Sequence, residues 1–223
     1  GLAMDAILHL GTLLAIIIYF REDLARLISA LFNRDNDPDY HRLAWHIGWA
    51  SFPAGLIGLF WGNNIEQELR NPNFVAWNLL FWSFVFFAAE RFSTKQKIAK
   101  TSIERITLGK VFFIGFAQAI ALLPGTSRSG ITISGGLLAN LSPSSAARFS
   151  FLLGTPIILS AGIYKSLYFL SSPIGSESLS ASQLGIGLLV SFSIGYLSIK
   201  LLLGIVSRLG LMPFIIYRII LAT

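Results

Sequence analysis

The chain has 223 residues, of which 54% are hydrophobic and only 13% charged, and its mean hydropathy is +0.67. Soluble domains carry about 25% charged residues, so this composition excludes an ordinary cytosolic enzyme and favours a multi-pass helical membrane protein. The net charge of +6 does not indicate a nucleic-acid partner, because the basic residues lie in short connections between apolar runs, as the positive-inside rule describes. The absence of cysteine excludes disulfides, thiolate catalysis and cysteine-ligated metals.

Charge-poor runs predict the membrane segments, because a spanning helix needs about 20 mostly apolar residues. Asp37-Pro38, Ser142-Pro143 and Gly210 mark helix boundaries between them, and Pro156 predicts a kink. We expect an all-α polytopic fold with about six transmembrane helices in one integral membrane domain over residues 1–223. In chain order the apolar runs are 6–20, 43–65, 71–89, the interrupted run 111–147, then 143–170, 184–199 and the short run 211–221. The charged and polar residues 21–42 are read as one connection.

Residues 107–141 are predicted to form a re-entrant helix hairpin. Pro124-Gly125 cuts this stretch into two half-helices. The connection 21–42 contains four Lys and Arg residues, the loop around Arg70 one, and the segment 91–110 six, which is a high, low, high alternation. The alternation continues only if the hairpin enters and leaves on one side, which places its tip toward the external face.

The turn of this hairpin has the residues of an anion site. Pro124 ends one half-helix, the glycines allow a tight turn, and Thr126, Ser127 and Ser129 place hydroxyls at the start of the next half-helix. A helix N-terminus offers free N–H donors, and a guanidinium adds a fork of donors that suits phosphate oxygens. An arginine at membrane depth costs about 2.5 to 3.5 kcal/mol, so Arg128 is expected to have an anionic partner.

Plainer interpretations compete with this one. Arg128 could pair with an acidic residue of the chain or extend to the membrane interface. The stretch is close to a Walker A loop and to a nucleophile elbow, but Ile131 and Ser129 replace the required Lys and Gly, so both are rejected. His9 is expected to bond a neighbouring backbone group, and His46 to pack or lie at an interface. No protein metal site is recognisable from residue spacing.

The motif, together with flanking segments, resembles the bacterial undecaprenyl-diphosphate phosphatase family (BacA/UppP), which is linked to bacitracin resistance. The family pattern Pro-Gly-x-Ser-Arg-Ser-x-x-Thr matches 124–132, and the similarity extends over essentially all 223 residues. The matching flanking segments are 115–118, 134–137, 146–153 and 213–218.

The resemblance implies hydrolysis of undecaprenyl diphosphate to undecaprenyl phosphate and inorganic phosphate, which recycles the lipid carrier of peptidoglycan synthesis and confers bacitracin resistance. It implies a catalytic role for Arg128, which would neutralise the diphosphate, and for Ser127, which would orient phosphate oxygens or act as nucleophile. It implies substrate binding by Gly125, Thr126, Ser129, Gly130 and Thr132. The bacterial plasma (inner) membrane is the expected location, with the site on the periplasmic side and membrane lipids as neighbours; a homodimer is left open.

The sequence departs from the family in one respect. An acidic Glu/Gln-x-x-x-Glu motif and a Ser-Ser-x-x-His element, which precede these segments in the family, have no counterpart in the chain. The expected inverted-repeat architecture would then lack part of its first repeat, and the family's divalent cation (Mg or Ca) would lack its acidic ligands. Two alternatives stay open at this stage: a membrane transporter or flippase for an anionic lipid or small anion, and an inactive remnant that still inserts.

Overall fold

The structure is a computed structural model that describes residues 2–69, 71–95, 101–171 and 180–223. These residues form nine α-helices, one 3₁₀ turn (Ile103–Arg105) and no β-strand. The helices are α1 (Leu2–Tyr19), α2 (Arg21–Phe32), α3 (Pro38–Leu69), α4 (Pro72–Lys95), α5 (Leu108–Ile120), α6 (Arg128–Leu138), α7 (Pro143–Ser171), α8 (Ala181–Leu209) and α9 (Met212–Ala222).

The all-α polytopic fold predicted from the sequence is confirmed. Within the described ranges, α3, α4, α7 and α8 are long and apolar enough to cross a bilayer, and a fifth span results if α1 and α2 are one bent segment. The sequence predicts about six spans, and the difference lies in α9. Its 11 residues rise only about 17 Å, which is too short for about 30 Å of hydrocarbon.

The stretch after residue 20 is a helix and not simply a connection. Helix α2 turns away from α1 by 79° and buries Leu27 and Ala30. Its residues Arg21, Glu22 and Arg26 face outward, whereas Asp23 is partly buried. Sequence reasoning missed it because the charges interrupt the apolar run. Arg26 donates two hydrogen bonds to Asp37 in the following loop, and these hold the pKa of the Asp37 carboxyl below its ordinary value.

The helices approach each other closely at small residues, as membrane helices do. A Cβ added to Gly115 in α5 would lie 2.6 Å from the carbonyl oxygen of Ala50 in α3. A Cβ on Gly11 in α1 would lie 2.6 Å from the Cβ of Ser191 in α8. Buried apolar residues of α1, α3, α5 and α7 form the core between these contacts, among them Ala15, Leu43, Ile114 and Phe149.

Charged side chains collect at one end of the bundle. Arg148 in α7 bonds Asp23 in α2, donates to the hydroxyl of Tyr40 in α3 at 2.8 Å, and lies 3.7 Å from Glu104. Tyr40 in turn donates to Asp23 at 3.1 Å. The connection 21–42, the segment 91–110 and the start of α7, which the Lys and Arg count places on one side, therefore meet at this end. The face of the membrane to which this end belongs stays a prediction.

Helices α5 and α6 form an antiparallel pair with both outer ends at this polar end. The N–H of Thr101, before α5, donates to the carbonyl of Asn140, after α6, at 2.9 Å. Ser142 caps α7 by accepting a hydrogen bond from the N–H of Ser145 at 3.1 Å, as its place before Pro143 predicts. The turn between α5 and α6 consequently lies away from the polar end.

Candidate functional site

The turn between α5 and α6 has an unusual backbone. Gly125 has φ +87°, and a Cβ there would also lie 2.8 Å from the carbonyl oxygen of Val75, so this position needs glycine. Ser127 has φ +72°, which is uncommon for a residue with a side chain and is a conformation found at functional sites. Its Oγ accepts a hydrogen bond from the N–H of Gly130 at 3.2 Å and caps α6.

Two other helices hold this turn in place. Asn78 in α4 donates from Nδ2 to the carbonyl of Pro124 at 2.8 Å and to Oγ1 of Thr126 at 2.9 Å. Arg218 in α9 donates from Nη2 to the carbonyl of Gly125 at 2.9 Å and from Nε to Oγ of Ser83 in α4 at 3.2 Å. The turn is therefore fixed by side-chain donors from both flanking helices.

The threonines of the motif are buried and bonded to protein groups. Thr126 is fully buried against Asn78. Thr132 is also fully buried; its hydroxyl donates to the carbonyl of Arg128 at 2.8 Å and lies 2.6 Å from Oγ of Ser150 in α7. The Thr126 hydroxyl holds the turn against α4, and the Thr132 hydroxyl holds α6 against α7. The direct phosphate contact expected from the resemblance stays a prediction for both.

Arg128 is the first residue of α6, and its guanidinium is largely buried. Its guanidinium lies against Gly154 in α7, where an added Cβ would lie only 1.5 Å from Nη1. Nη1 is buried and has no hydrogen-bond partner among the residues that the structure describes. The ion pair with an acidic side chain that competed with the anion site is not present there. An unpaired buried guanidinium donor is costly, so an anionic ligand would stabilise this arrangement.

A cavity of about 250 Å³ opens beside the N-terminus of α6. Ser127, Ser129, Gly130 and Arg218 contribute to its wall, and apolar side chains of α4, α8 and α9 form most of the rest, including Phe86, Leu202 and Val206. A Cβ on Gly130 would lie 2.5 Å from the Phe86 ring, so this glycine lets α6 pack against α4. Arg128 does not line the cavity, because its guanidinium points to α7.

The predicted site residues therefore surround the N-terminus of α6 on two sides. Ser127, Ser129 and Gly130 face the cavity, and Arg128 faces α7. The capping of α6 uses the N–H of Gly130, while the N–H groups of Arg128 and Ser129 remain as donors of the first turn. The hydroxyls and backbone donors therefore lie on the cavity side of this helix end, and the buried donor of Arg128 lies on the α7 side.

A divalent cation does not fit the donors found here. Magnesium and calcium take oxygen ligands, mainly carboxylates. Nowhere in the described ranges do three His, Asp or Glu side chains come together, and the charged groups next to the turn are two guanidinium ions. The cation stays a prediction of the family resemblance, and the described residues would not hold it.

Sequence reasoning missed the supporting residues of the site. Arg218 is the one charge in the apolar helix α9, so the argument that singled out Arg128 could have found it. Asn78 is a polar residue in an apolar, aromatic run, which is a weaker signal. Gly154 carries no local signal, because its contact with Arg128 depends on the fold. His9 lies 3.0 Å from the carbonyl of Asp5, as expected for a histidine bonded to backbone.

Comparisons with known proteins give a consistent result. The family model described as bacitracin resistance protein BacA matches residues 1–223. An undecaprenyl-diphosphatase of Saccharophagus degradans is 41% identical over 224 residues, which is 99% of this chain and 81% of that protein. Proteins of the same name from Teredinibacter turnerae and Rubrobacter xylanophilus are 38% and 41% identical, over 99% and 100% of this chain and 82% and 81% of their own lengths.

Proposed function

This chain belongs to the bacitracin resistance protein BacA family, and from that premise we propose that it hydrolyses undecaprenyl diphosphate to undecaprenyl phosphate and inorganic phosphate. It is a multi-pass membrane enzyme, and its product is the lipid carrier that bacitracin resistance requires. The observation that carries the proposal is the buried Nη1 of Arg128 at the N-terminus of α6, for which the described residues provide no hydrogen-bond partner. A diphosphate headgroup is a ligand of the charge and shape that this donor requires.

We place the headgroup at the N-terminal end of α6. Arg128 binds phosphate oxygens and stabilises the charge that develops on them, and the first-turn N–H groups and the hydroxyls of Ser127 and Ser129 orient them. The apolar cavity accepts the first part of the prenyl chain, while the rest remains in the lipid. These roles are supported by the position of the cavity directly beside Ser127 and Ser129.

In the reaction, a water oxygen bonds to the terminal phosphorus and the bond from that phosphorus to the bridging oxygen breaks. Undecaprenyl phosphate leaves with the bonding electrons, and the proton released from water must go to a base. Oγ of Ser127 is bonded to the Gly130 N–H and acts here as helix cap and phosphate ligand. Ser127 as covalent nucleophile stays a prediction.

The location in the bacterial inner membrane, with the headgroup approached from the periplasmic side, is part of the proposal. It is supported by the gathering of charged connections at the end of the bundle opposite the turn. The transporter or flippase alternative is not favoured, because the similar proteins bear the name of a diphosphatase.

The test is phosphate release from undecaprenyl diphosphate by the full-length protein in detergent, with magnesium or calcium added. We expect Arg128→Ala to lower kcat/KM by about 10²- to 10³-fold, the usual cost of removing one transition-state donor. Arg128→Lys should recover only part of this, because an ammonium group lacks the planar fork. Arg208→Ala, at an exposed position in α8, is the matched control. Near-normal turnover by Arg128→Ala would contradict the assignment.

A further inference from the structure

A second cavity lies at the polar end of the bundle, away from the α5–α6 turn. It has a volume of about 460 Å³ and is formed by the loop before α3, the first turns of α3 and the start of α5. The residues that carry the argument are Arg34, His41, Arg42, Trp45, His46 and Trp49. Four of these are arginine or histidine, two are tryptophans, and none of the described lining residues is acidic.

His46 is the observation that points to a ligand. Its side chain is only 7% exposed and lines the cavity, and its Nδ1 is buried with no hydrogen-bond partner among the described residues. Sequence reasoning expected this histidine to pack or to lie at an interface. A buried ring nitrogen without a partner costs free energy that a hydrogen bond to a bound group would recover.

The basic side chains of the cavity are partly held in place. Arg42 donates from Nη2 to Asp39 and to the carbonyl of Glu104, both at 2.8 Å, and so its guanidinium is fixed at the wall with donors left over. Arg34 is exposed at the mouth. His41 lies 2.7 Å from the carbonyl of Ala30 through Nδ1. Arg34 and Arg42 therefore give the cavity a positive side that favours an anion, offset in part by the Asp39 carboxylate that pairs with Arg42.

The apolar side of the cavity faces the lipid. Trp45 and Trp49 lie one turn apart on α3, within a helix that spans the membrane, and are 54% and 49% exposed. Tryptophan at such positions lies at the level of lipid headgroups, and basic pockets between membrane helices bind anionic headgroups. The combination of charge at the mouth and indole rings on the lipid side suits one class of ligand, which has a phosphate and an acyl chain.

We propose that this cavity binds an anionic membrane phospholipid, with its phosphate on Arg34, Arg42 and His46 and an acyl chain along Trp45 and Trp49. The site is separate from the one at the N-terminus of α6 and shares no residue with it. Its occupancy would stabilise the polar end of the bundle, because the lipid would join α3, the loop before it and the start of α5.

Thermal unfolding of the detergent-purified protein tests the proposal with phosphatidylglycerol, phosphatidylcholine and inorganic phosphate as probes. We expect phosphatidylglycerol alone to raise Tm by several degrees, since a ligand that binds only the folded state stabilises it. Arg34→Gln should reduce that rise, and adding Arg42→Gln should abolish it, each measured from the variant's own Tm. Arg21→Gln, an exposed arginine at the same end, should keep it. An equal rise with phosphatidylcholine or with inorganic phosphate, or a full rise in the double variant, would overturn the proposal.

A second measurement does not depend on how stable the variants are. Vesicles of phosphatidylcholine containing about a tenth of acyl-brominated phosphatidylglycerol should quench tryptophan fluorescence more than vesicles with the same fraction of brominated phosphatidylcholine. The excess quenching should disappear in Trp45→Phe/Trp49→Phe. Equal quenching by the two brominated lipids would mean that no anionic lipid is selected and would overturn the site.

Discussion

Gly154→Ala should inactivate the enzyme without unfolding it. The added Cβ would lie 1.5 Å from Nη1, 2.5 Å from Cζ and 2.8 Å from Nη2 of Arg128. Because carbon and nitrogen atoms pack at about 3.5 Å, the guanidinium must move by about 2 Å. It can do so, since it is the free end of a flexible side chain, whereas the helix backbone does not have to move.

Gly154→Ala should lower the catalytic activity but should not lower the thermal stability. A displacement of about 1 Å at a catalytic group can cost about 10²-fold, so we expect kcat/KM to fall by at least that factor. Alanine is favoured over glycine in a helix interior by about 1 kcal/mol, so Tm should stay the same or rise. The assay pairs phosphate release with thermal unfolding. Gly162→Ala is the matched control in α7, because its Cβ would meet nothing nearer than Leu13 Cδ2 at 3.9 Å.

A double variant identifies the cause of the loss. If Gly154→Ala acts only by moving Arg128, then Gly154→Ala combined with Arg128→Ala should be no less active than Arg128→Ala alone. Activity of Gly154→Ala within about threefold of the parent would refute the reasoning. A large fall in Tm together with lost activity would also refute it, because the packing of α7 would then be at fault.

Other substitutions test the supporting contacts. Arg218→Met should lower kcat/KM by about tenfold or more, because the carbonyl of Gly125 loses its donor and the turn loosens. Phosphate release by the variant and by the parent protein measures this loss. Asp23→Ala should lower the free energy of unfolding by about 1 to 2 kcal/mol, since it leaves the partly buried Arg148 without its main partner. Glu22→Ala, which breaks only an exposed pair, should change it by less than about 0.5 kcal/mol, and equal losses in chemical denaturation would contradict this difference.

Local signals in the sequence predicted the parts of the fold that depend on near neighbours. Pro124 and Gly125 predicted the break before α6. Ser142 predicted the start of α7, and Gly210 predicted the end of α8. Helix α3 begins at Pro38, five positions before the predicted run, because a proline at the first helical position allows the polar residues after it to join the helix.

The arrangement of the site could be predicted only in part. The motif 124–132 identified Arg128 and the hydroxyl groups, since their chemistry is visible in the residues themselves. Contacts such as Arg218 with Gly125, 93 positions apart, depend on the packing of whole helices and leave no local pattern. The same is true of Gly154, which matters because the Arg128 guanidinium fills the space that a Cβ would take.

The bond from Arg218 to the turn also affects the order in which the protein matures. Membrane helices enter the bilayer as they are synthesised, from the N-terminal side onward. When α5 and α6 have been made, the carbonyl of Gly125 still lacks its donor, because Arg218 follows 93 residues later. Asn78 in α4 can already bond the turn at that stage, but the second set of donors arrives only with α9. A chain interrupted before α9 would carry the whole motif and yet hold its turn from one side only, so we expect its phosphatase activity to stay low until α9 has packed.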